Sequence, residues 1–189
     1  MNEQKRLLNS ANDKNNSKNS SKNNDKNNAD DNANQYLTFT VGNDMFAVGI
    51  LNVKEIIEYG NLTEIPMMPA FIRGVNLRGA VVPVIDLGAR FNGKISAVQR
   101  RTCIVIVEIE QEGDRYDIGV MVDAVLEVLE IPSTDIEPPP AFGARIRTDF
   151  IAGMGKVAGK FVILLAIQRV LSVNEMAMLA DVGQNSHIE

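Results

Sequence analysis

The stretch FIRGVNLRGAVVPVIDLGARF, from Phe71 to Phe91, decides how the rest of the chain is interpreted. It begins with a turn-prone segment, Arg73–Asn76, in which Gly74 can adopt a positive φ without steric cost. Arg78 follows, between an apolar residue and Gly79. Its side chain is permanently charged and carries a planar group of hydrogen-bond donors. Taken alone, these residues favour a solvated loop arginine.

The second part of this stretch predicts a strand and a short helix. The apolar run Ala80–Ile85 is rich in Val and Ile, which favours a buried strand over a helix. Pro83 cannot donate to a sheet ladder, so we expect an edge strand or a bulge at this point. Asp86 ends the strand, and residues 87–91 predict one turn of helix.

Composition limits the class of protein. The 189 residues carry a formal net charge of −5, with 45% hydrophobic and 5% aromatic residues, which suits one soluble domain or two small ones. The acidic balance argues against a nucleic-acid-binding protein. Cys103, the single cysteine, cannot form an internal disulfide, and we expect it to be a small buried hydrophobe. No apolar run is long enough to cross a bilayer, and the N-terminus lacks the apolar segment of a secretory signal. These features predict a cytoplasmic protein.

The chain divides at residue 34. Twelve of residues 1–34 are Asn, interleaved with Lys, Asp and Ser, and such a segment buries too little apolar surface to offset its ordering entropy. We therefore expect a disordered Asn/Lys-rich leader over 1–34 and a folded domain over 35–189. Association through the Asn-rich segment is an alternative for the leader.

The residue pattern of 35–189 predicts mainly short strands. Alternating or continuous apolar runs, separated by turn residues, predict strands at 36–41, 45–50, 102–110, 116–122, 123–130 and 161–167. Residues 51–57 fit a short helical turn that runs into a strand. Gly153–Gly159 is expected to form a Gly-rich turn, and good helix formers at 175–179 predict a C-terminal helix.

The two halves of the domain repeat each other. Phe46–Ile50 corresponds to Tyr116–Val120, and Phe71–Val75 corresponds to Phe150–Met154. Each half holds about five short strands, enough for a small barrel that leaves no exposed edges. Two such barrels would have thin cores and should share an apolar interface.

Residue types that carry out chemistry are scarce. The only histidine, His187, lies close to the C-terminus, and there is no zinc-type Cys/His spacing and no phosphate-binding glycine motif. The carboxylates Glu108, Glu110 and Glu112 alternate along one strand and its turn, which is typical of a solvated face. We therefore expect a binding protein with no catalytic residues, no metal and no cofactor.

Taken together, the motifs resemble the CheW family of chemotaxis coupling proteins. The resemblance runs in order through the whole of 35–189, and its motifs stand at 36–42, 50–56, 69–75, 76–79, 81–87, 118–123, 151–155 and 174–177. It implies an all-β fold of two tandem five-stranded SH3-like barrels, intertwined as two subdomains, with short helices and a C-terminal helix.

The family resemblance also implies partners and a site. It implies a non-catalytic cytoplasmic scaffold that joins the cytoplasmic tips of methyl-accepting chemoreceptors to the histidine kinase CheA at receptor arrays on the inner membrane, without inserting into the membrane. Val53 and Glu55 would lie in the receptor-facing groove, Gly74 would admit partner backbone, and Arg78 with Gly79 would contact receptor and kinase. The matching positions Gly119 and Val122 would serve the packing of the second barrel and a kinase-side surface.

One departure from the family pattern concerns the residues before Arg78. Family members usually carry an extra residue between Gly-Val and Asn-Leu-Arg-Gly, whereas here Val75 directly precedes Asn76. A shift of one residue in a strand reverses the face of every following side chain. Either a bulge is lost here or the Arg78 side chain is displaced.

The sequence leaves two alternative functions open. An adaptor of a parallel pathway, such as pilus-based motility, has the same sequence features. A barrel that binds a small ligand or single-stranded nucleic acid is the alternative of a different class. The low aromatic content would give such a barrel few side chains on which bases could stack. Its negative charge would repel a nucleic acid.

Overall fold

A computed structural model describes residues 33–111, 113–141, 146–172 and 174–179. The strands are β1 Gln35–Val41, β2 Asp44–Gly49, β3 Val53–Glu58, β4 Thr63–Glu64, β5 Ile72–Leu77, β6 Ala80–Asp86, β7 Cys103–Gln111, β8 Asp114–Val122, β9 Ala124–Glu130, β10 Ile136–Glu137, β11 Ile151–Val157 and β12 Lys160–Leu165. The α-helices are α1 Leu87–Asn92 and α2 over 174–179. The 3-10 turns are Ile50–Asn52, Ser133–Asp135, Thr148–Phe150 and Ile167–Arg169. The leader expected over 1–34 lies outside the described residues, apart from Ala33 and Asn34.

The strands form two sheets that curl like barrels and exchange a hairpin. The first sheet has the order β3-β7-β8-β6-β5-β4, and the second has the order β10-β11-β12-β2-β1-β9. Each sheet therefore contains four strands of one sequence half and a hairpin of the other. Each exchanged hairpin joins the other half through one antiparallel pair, β3–β7 or β1–β9, and one parallel pair, in which Val84 faces Gly119 or Ile163 faces Phe46.

This exchange agrees with the predicted all-β fold of two intertwined barrels. About five short strands were expected in each half. The described residues give six in each half, including the two-residue strands β4 and β10, and the exchange of hairpins leaves six in each sheet. β2 and β8, which the internal repeat relates, occupy equivalent places in the two sheets.

The two sheets share one apolar core, as predicted. Its largest cluster joins Leu37 and Phe39 of the second sheet to Ile72, Ile85 and Val105 of the first sheet. Two smaller clusters lie within the individual sheets. Because most of the buried apolar residues belong to this shared cluster, each sheet depends on the other for its stability.

Two segments expected to be turns are strands. Gly74 lies in β5 and Gly153 in β11, and neither has a positive φ. These glycines allow close packing instead, since a Cβ at Gly153 would lie 2.7 Å from Cγ2 of Ile136. The true turns are the two-residue loops Arg78-Gly79 and Ala158-Gly159, in which both residues have positive φ. Positive φ at both central positions is the geometry of tight type I′ hairpins.

Pro83 does not mark a bulge, but β6 is paired with β5 alone at this point, so the residue lies at a local edge, as expected. β6 lies between β5 and β8, and its pairing with β5 is continuous from Ile72–Ile85 to Leu77–Ala80. The parallel pairing with β8 begins only at Val84. The missing donor of Pro83 therefore falls just outside the ladder with β8.

A partly buried ion pair holds the C-terminal helix α2 where the sheets meet. Arg90 of α1 donates two hydrogen bonds to the Glu175 carboxylate, at 3.0 and 3.2 Å. Its guanidinium also lies over the rings of Phe71 and Phe150, at 5.0 and 5.2 Å from their centroids. Glu175 accepts a further bond from the Ser172 backbone N–H, and the Ser172 hydroxyl accepts one from the N–H of Glu175. This reciprocal capping box begins the predicted C-terminal helix.

Candidate protein interface

A β-bulge in β3 sends three consecutive side chains in different directions. The register between β3 and β7 shifts between Val53 and Glu55. Val53 packs against the shared core, Lys54 reaches over β7 and β8, and Glu55 points to the β5–β6 turn. Bulges commonly redirect side chains in this way, so this short segment joins the core to two charged contacts.

Arg78 lies at the tip of the β5–β6 hairpin and contacts Glu55. Its φ is +53°, an unusual conformation for a residue other than glycine, and Gly79 follows with +89°. The Gly79 N–H donates to Oδ1 of Asn76 at 2.9 Å, which fixes the turn. Nη2 of Arg78 lies 3.0 Å from Oε2 of Glu55, while 78% of the Arg78 side chain stays exposed. We call the surface formed by Val53, Glu55, Arg78 and Gly79 the Glu55–Arg78 surface.

The β5–β6 hairpin is regular, although this chain lacks a residue that family members usually carry before Asn76. β5 and β6 pair without a register shift. The hairpin contains no bulge before Arg78, and displacement of the Arg78 side chain relative to other family members stays a prediction. Glu55 and Arg78, which were both assigned to the binding site from the sequence, nevertheless lie in contact.

A charged network lies beside this surface. Nζ of Lys54 lies 2.8 Å from Oε2 of Glu108 and 2.6 Å from Oδ1 of Asp117, which face each other across β7 and β8. Arg115 contacts the same Glu108 at 3.1 Å. The hydrogen bonds to Asp117 and Glu108 raise the pKa of Lys54, and the hydrogen bond from Lys54 lowers the pKa of Glu108. The cations thus offset the repulsion between opposed carboxylates.

Gly74 is packed by its own chain. A Cβ at this position would lie 3.0 Å from Cγ1 of Val81, and Ile65 and Thr63 are also within 3.5 Å. The residue is buried in β5, where β4 and β6 approach it from both sides. Its absent side chain therefore serves internal packing, and close approach of a partner at Gly74 stays a prediction.

Gly119 and Val122 belong to the first sheet and not to the second, where they were expected. The reason is the exchange of the β7–β8 hairpin, which places β8 beside β6. A Cβ at Gly119 would lie 2.8 Å from Cγ2 of Ile104 and 2.9 Å from Cγ2 of Val84. Val122 is buried in the shared core. Both positions support packing, but in the first sheet and the shared core, and a kinase-side surface at them stays a prediction.

Sequence reasoning missed Lys54, Asp117 and the pairing role of Glu108. The carboxylates of β7 were read as a solvated face, since the sequence does not show which cation lies across the sheet. The signal was present in the segment Val53-Lys54-Glu55, where a lysine interrupts the residues attributed to the surface. In the parts of the chain that the structure describes, no group of three metal-ligating side chains occurs. No helix among the described residues has the length and apolar character to cross a membrane.

Comparison with known proteins gives consistent matches. The sequence model of the CheW-like domain matches residues 35–175. The chemotaxis protein CheW of Klebsiella aerogenes is 35% identical over 152 residues, which is 80% of this chain and 89% of that protein. The protein FrzA of Myxococcus xanthus is 35% identical over 127 residues, covering 66% of this chain and 76% of FrzA.

A solved structure shows the same fold. The scaffolding protein TtCheW of Thermoanaerobacter tengcongensis superposes with a TM-score of 0.67 and 34% identity, over 76% of this chain and 90% of TtCheW. The exchanged sheets, the shared core and the sequence matches agree, and they show that this chain belongs to the CheW family of chemotaxis scaffolding proteins.

Proposed function

We propose that this protein couples transmembrane chemoreceptors to the histidine kinase CheA in chemotaxis, by protein contacts alone. It would work in the cytoplasm, recruited to receptor arrays at the inner membrane. Membership of a family of non-catalytic scaffolds supports this role. The residues we assign to receptor and kinase binding are Val53, Glu55, Gly74, Arg78, Gly79, Gly119 and Val122.

The observation that carries the proposal is the exposed ion pair at the Glu55–Arg78 surface. Arg78 keeps most of its side chain in solvent and uses one nitrogen for Glu55, which leaves donors of its fork for a partner. Its positive φ is a strained conformation that costs stability and persists where surrounding structure holds it.

The test is co-sedimentation of the full chain with CheA and with receptor-containing membranes. Arg78→Glu should leave folding intact and weaken binding by about 1–3 kcal/mol, the range for losing a charged contact. Arg147→Glu is the matched control, since Arg147 is also an exposed arginine paired with a carboxylate, that of Asp149 at 2.8 Å. Unchanged affinity of Arg78→Glu in calorimetry would remove Arg78 from the interface. Failure of the parent chain to bind either CheA or the receptor would refute the coupling role.

A charge exchange separates a contact role of the Glu55–Arg78 pair from a purely internal role of the pair. The double variant Glu55→Arg/Arg78→Glu restores an ion pair at the same place with reversed polarity. If Arg78 only orders the β5–β6 turn, the double variant should bind as the parent chain does. If it contacts the partner, binding should stay weak although thermal unfolding returns to the parent value.

A coupling role in a parallel chemosensory pathway is the second candidate. FrzA, a relative with a different name, is as similar in percentage identity as the Klebsiella CheW. Purifying the tagged full chain from its own cells, and identifying which CheA-type kinase accompanies it, distinguishes the two pathways.

A further inference from the structure

The loop between α1 and β7, residues 93–101, is almost entirely exposed, and only Ser96 in it is half-buried. It carries two aliphatic side chains, Ile95 and Val98, which are 54% and 53% exposed. Single exposed apolar side chains are common on protein surfaces, whereas these two lie three positions apart in one short loop. The loop therefore offers apolar area that the core of the protein does not use.

A buried carboxylate fixes the middle of this loop. Asp86, at the end of β6, is 1% exposed, and it accepts hydrogen bonds from the Ala89 N–H at 3.0 Å, from the Ser96 N–H at 2.8 Å and from the Ser96 hydroxyl. Gly88 makes room for this contact, because a Cβ there would overlap Oγ of Ser96. A buried carboxylate is tolerated only when its oxygens are hydrogen-bonded, so the fold holds Ser96 in place.

A reciprocal pair of hydrogen bonds fixes the end of the loop. The Gln99 N–H donates to the Thr102 hydroxyl oxygen at 2.8 Å, and the Thr102 N–H donates to the Gln99 carbonyl oxygen at 3.1 Å. Thr102 itself is buried. Because the loop is ordered before any partner arrives, binding to it costs less conformational entropy than binding to a loop that must first be ordered. Ile95 and Val98 are thus presented to solvent in a defined arrangement.

The loop is basic although the protein is acidic. Residues 87–107 contain no Asp or Glu, while the whole chain has a net charge of −5. Lys94 and Arg100 are exposed, and neither forms an ion pair with the residues that the structure describes. Arg101 differs, because Glu58 pairs with β7 two residues after it and brings a carboxylate to the neighbouring strand. Lys94 and Arg100 are therefore the cations available to an acidic partner.

The residue types of the loop favour a protein partner over a membrane surface. Anionic membranes are bound by clusters of about 4–8 Lys or Arg, and by Trp, Phe or Leu side chains that enter the headgroup region. The loop offers Lys94, Arg100 and two smaller aliphatic side chains, and the acidic chain as a whole is repelled by an anionic leaflet. Its charge and its apolar area suit a peptide segment that carries both carboxylates and aliphatic side chains.

We propose that the loop 93–101 binds an acidic segment of a partner protein, in which carboxylates stand next to aliphatic residues. The carboxylates pair with Lys94 and Arg100, and the aliphatic side chains cover Ile95 and Val98. The loop follows the end of β6, whereas Arg78 precedes its beginning, so this surface is separate from the Glu55–Arg78 surface. The inference adds a second surface to the proposed function, and its test uses neither CheA nor receptor, so that the two can fail separately.

The experiment titrates the ¹⁵N-labelled full chain with two capped pentapeptides, Ac-Glu-Leu-Glu-Leu-Glu-NH₂ and Ac-Gln-Leu-Gln-Leu-Gln-NH₂. We expect the Glu peptide to shift backbone resonances of 93–102 and to bind about three- to tenfold more tightly than the Gln peptide, the range for two exposed ion pairs. Added salt should reduce this preference, because exposed charges are screened. Equal affinities of the two peptides, or shifts confined to other parts of the chain, overturn the proposal.

A pair of double variants tests whether the two cations of the loop select the acidic peptide. Lys94→Gln/Arg100→Gln should abolish the preference for the Glu peptide and should keep the fold, since both side chains are exposed. Lys156→Gln/Lys160→Gln is the matched control, because it removes two exposed lysines of the β11–β12 hairpin. The control should bind the Glu peptide as the parent chain does. A preference that survives in Lys94→Gln/Arg100→Gln, or an equal loss in the control, contradicts the assignment.

The apolar part of the surface and the other occupants need separate measurements. Ile95→Ser/Val98→Ser should weaken the binding of both peptides alike, and unchanged binding by this variant contradicts the proposal. Co-sedimentation with vesicles of phosphatidylglycerol and phosphatidylcholine tests a membrane, and sedimentation velocity of the full chain over a range of concentrations tests a second copy. Vesicle binding or self-association that is lost in Lys94→Gln/Arg100→Gln would assign the loop to that occupant and overturn the proposal.

Discussion

Replacing Arg90 with Met tests whether the ion pair to Glu175 holds α2 where the two sheets meet. The substitution keeps most of the apolar stem of the side chain and removes its charge and its donors. It eliminates the two hydrogen bonds to Glu175 and the contacts with the rings of Phe71 and Phe150.

The structure sets the size of the expected effect. Removing one partner of a buried ion pair costs about 3–5 kcal/mol, and the 15% and 14% exposure of Arg90 and Glu175 favours the lower end. The Nε atom of Arg90 is buried without a hydrogen-bond partner among the described residues, so losing it offsets part of this cost. We expect Arg90→Met to lower the free energy of unfolding by about 3 kcal/mol. Glu175→Gln leaves the Arg90 charge without its carboxylate and keeps one acceptor oxygen of two, so it should also cost about 3 kcal/mol.

Urea unfolding of the full chain, followed by circular dichroism, measures these values. A double-mutant cycle with Arg90→Met and Glu175→Gln should give a coupling energy of about 1–3 kcal/mol. The coupling should change little with added salt, because partly buried pairs are weakly screened. Arg147→Met, at the exposed pair with Asp149, is the control and should cost about 0–1 kcal/mol. A coupling energy below about 0.5 kcal/mol would refute the reasoning, since contacting residues normally exceed it.

Three further predictions follow from the turns, the charged network and the packed glycine. Arg78→Asn and Ala158→Asn each create an Asn-Gly type I′ turn and should each raise the free energy of unfolding by about 0.5–1 kcal/mol, but only Arg78→Asn should weaken partner binding. Lys54→Met should raise the pKa of Glu108 towards its ordinary value in an NMR titration. Since that pKa is lowered in the folded protein, its contribution to stability is present above the ordinary pKa and is lost as pH falls through the folded pKa; the variant should lose that acid-side dependence. Gly119→Ala should cost about 1–3 kcal/mol in urea unfolding, because its Cβ has no space between β6 and β7.

Each of these predictions has a contradicting outcome. Equal effects of Arg78→Asn and Ala158→Asn on partner binding would remove Arg78 from the interface. A Glu108 pKa that does not respond to Lys54→Met would show that the contact is not maintained in solution. Gly60, which is exposed and has no atom within 4 Å of a built Cβ, is the control for Gly119, and Gly60→Ala should leave stability nearly unchanged. Equal stability of these two alanine variants would contradict the packing role.

The sequence predicted the strands well because their signals are local. Alternation and turn residues located the β1–β2 and β7–β8 hairpins, and the internal repeat anticipated two equivalent sheets with a shared core. The glycines of β5 and β11 were misread as turn residues, because positive φ and close packing both favour glycine. Which of the two applies at Gly74 or Gly153 depends on neighbours that are distant in sequence.

The candidate site could also be predicted only in part, because some of its contacts depend on residues that are distant in sequence. Glu55 and Arg78 were assigned through the family resemblance, and the structure brings them into contact. The pairing of Lys54 with Glu108 and Asp117 depends on which strands lie side by side. The hairpin exchange sets that order, and no local pattern encodes it.

The exchanged hairpins also determine when the protein can fold during synthesis. β1 pairs with β9, and the Thr38 hydroxyl bonds the backbone of Glu127, 89 residues away. The first sheet needs β8, which ends at Val122, and the second needs strands as late as β12. Such distant pairings make folding slow, so an N-terminal fragment leaving the ribosome would carry unpaired strand edges that favour aggregation. For the same reason a chain cut between β6 and β7 would yield two pieces that fold only together, each completing the other as the two halves do within the intact protein.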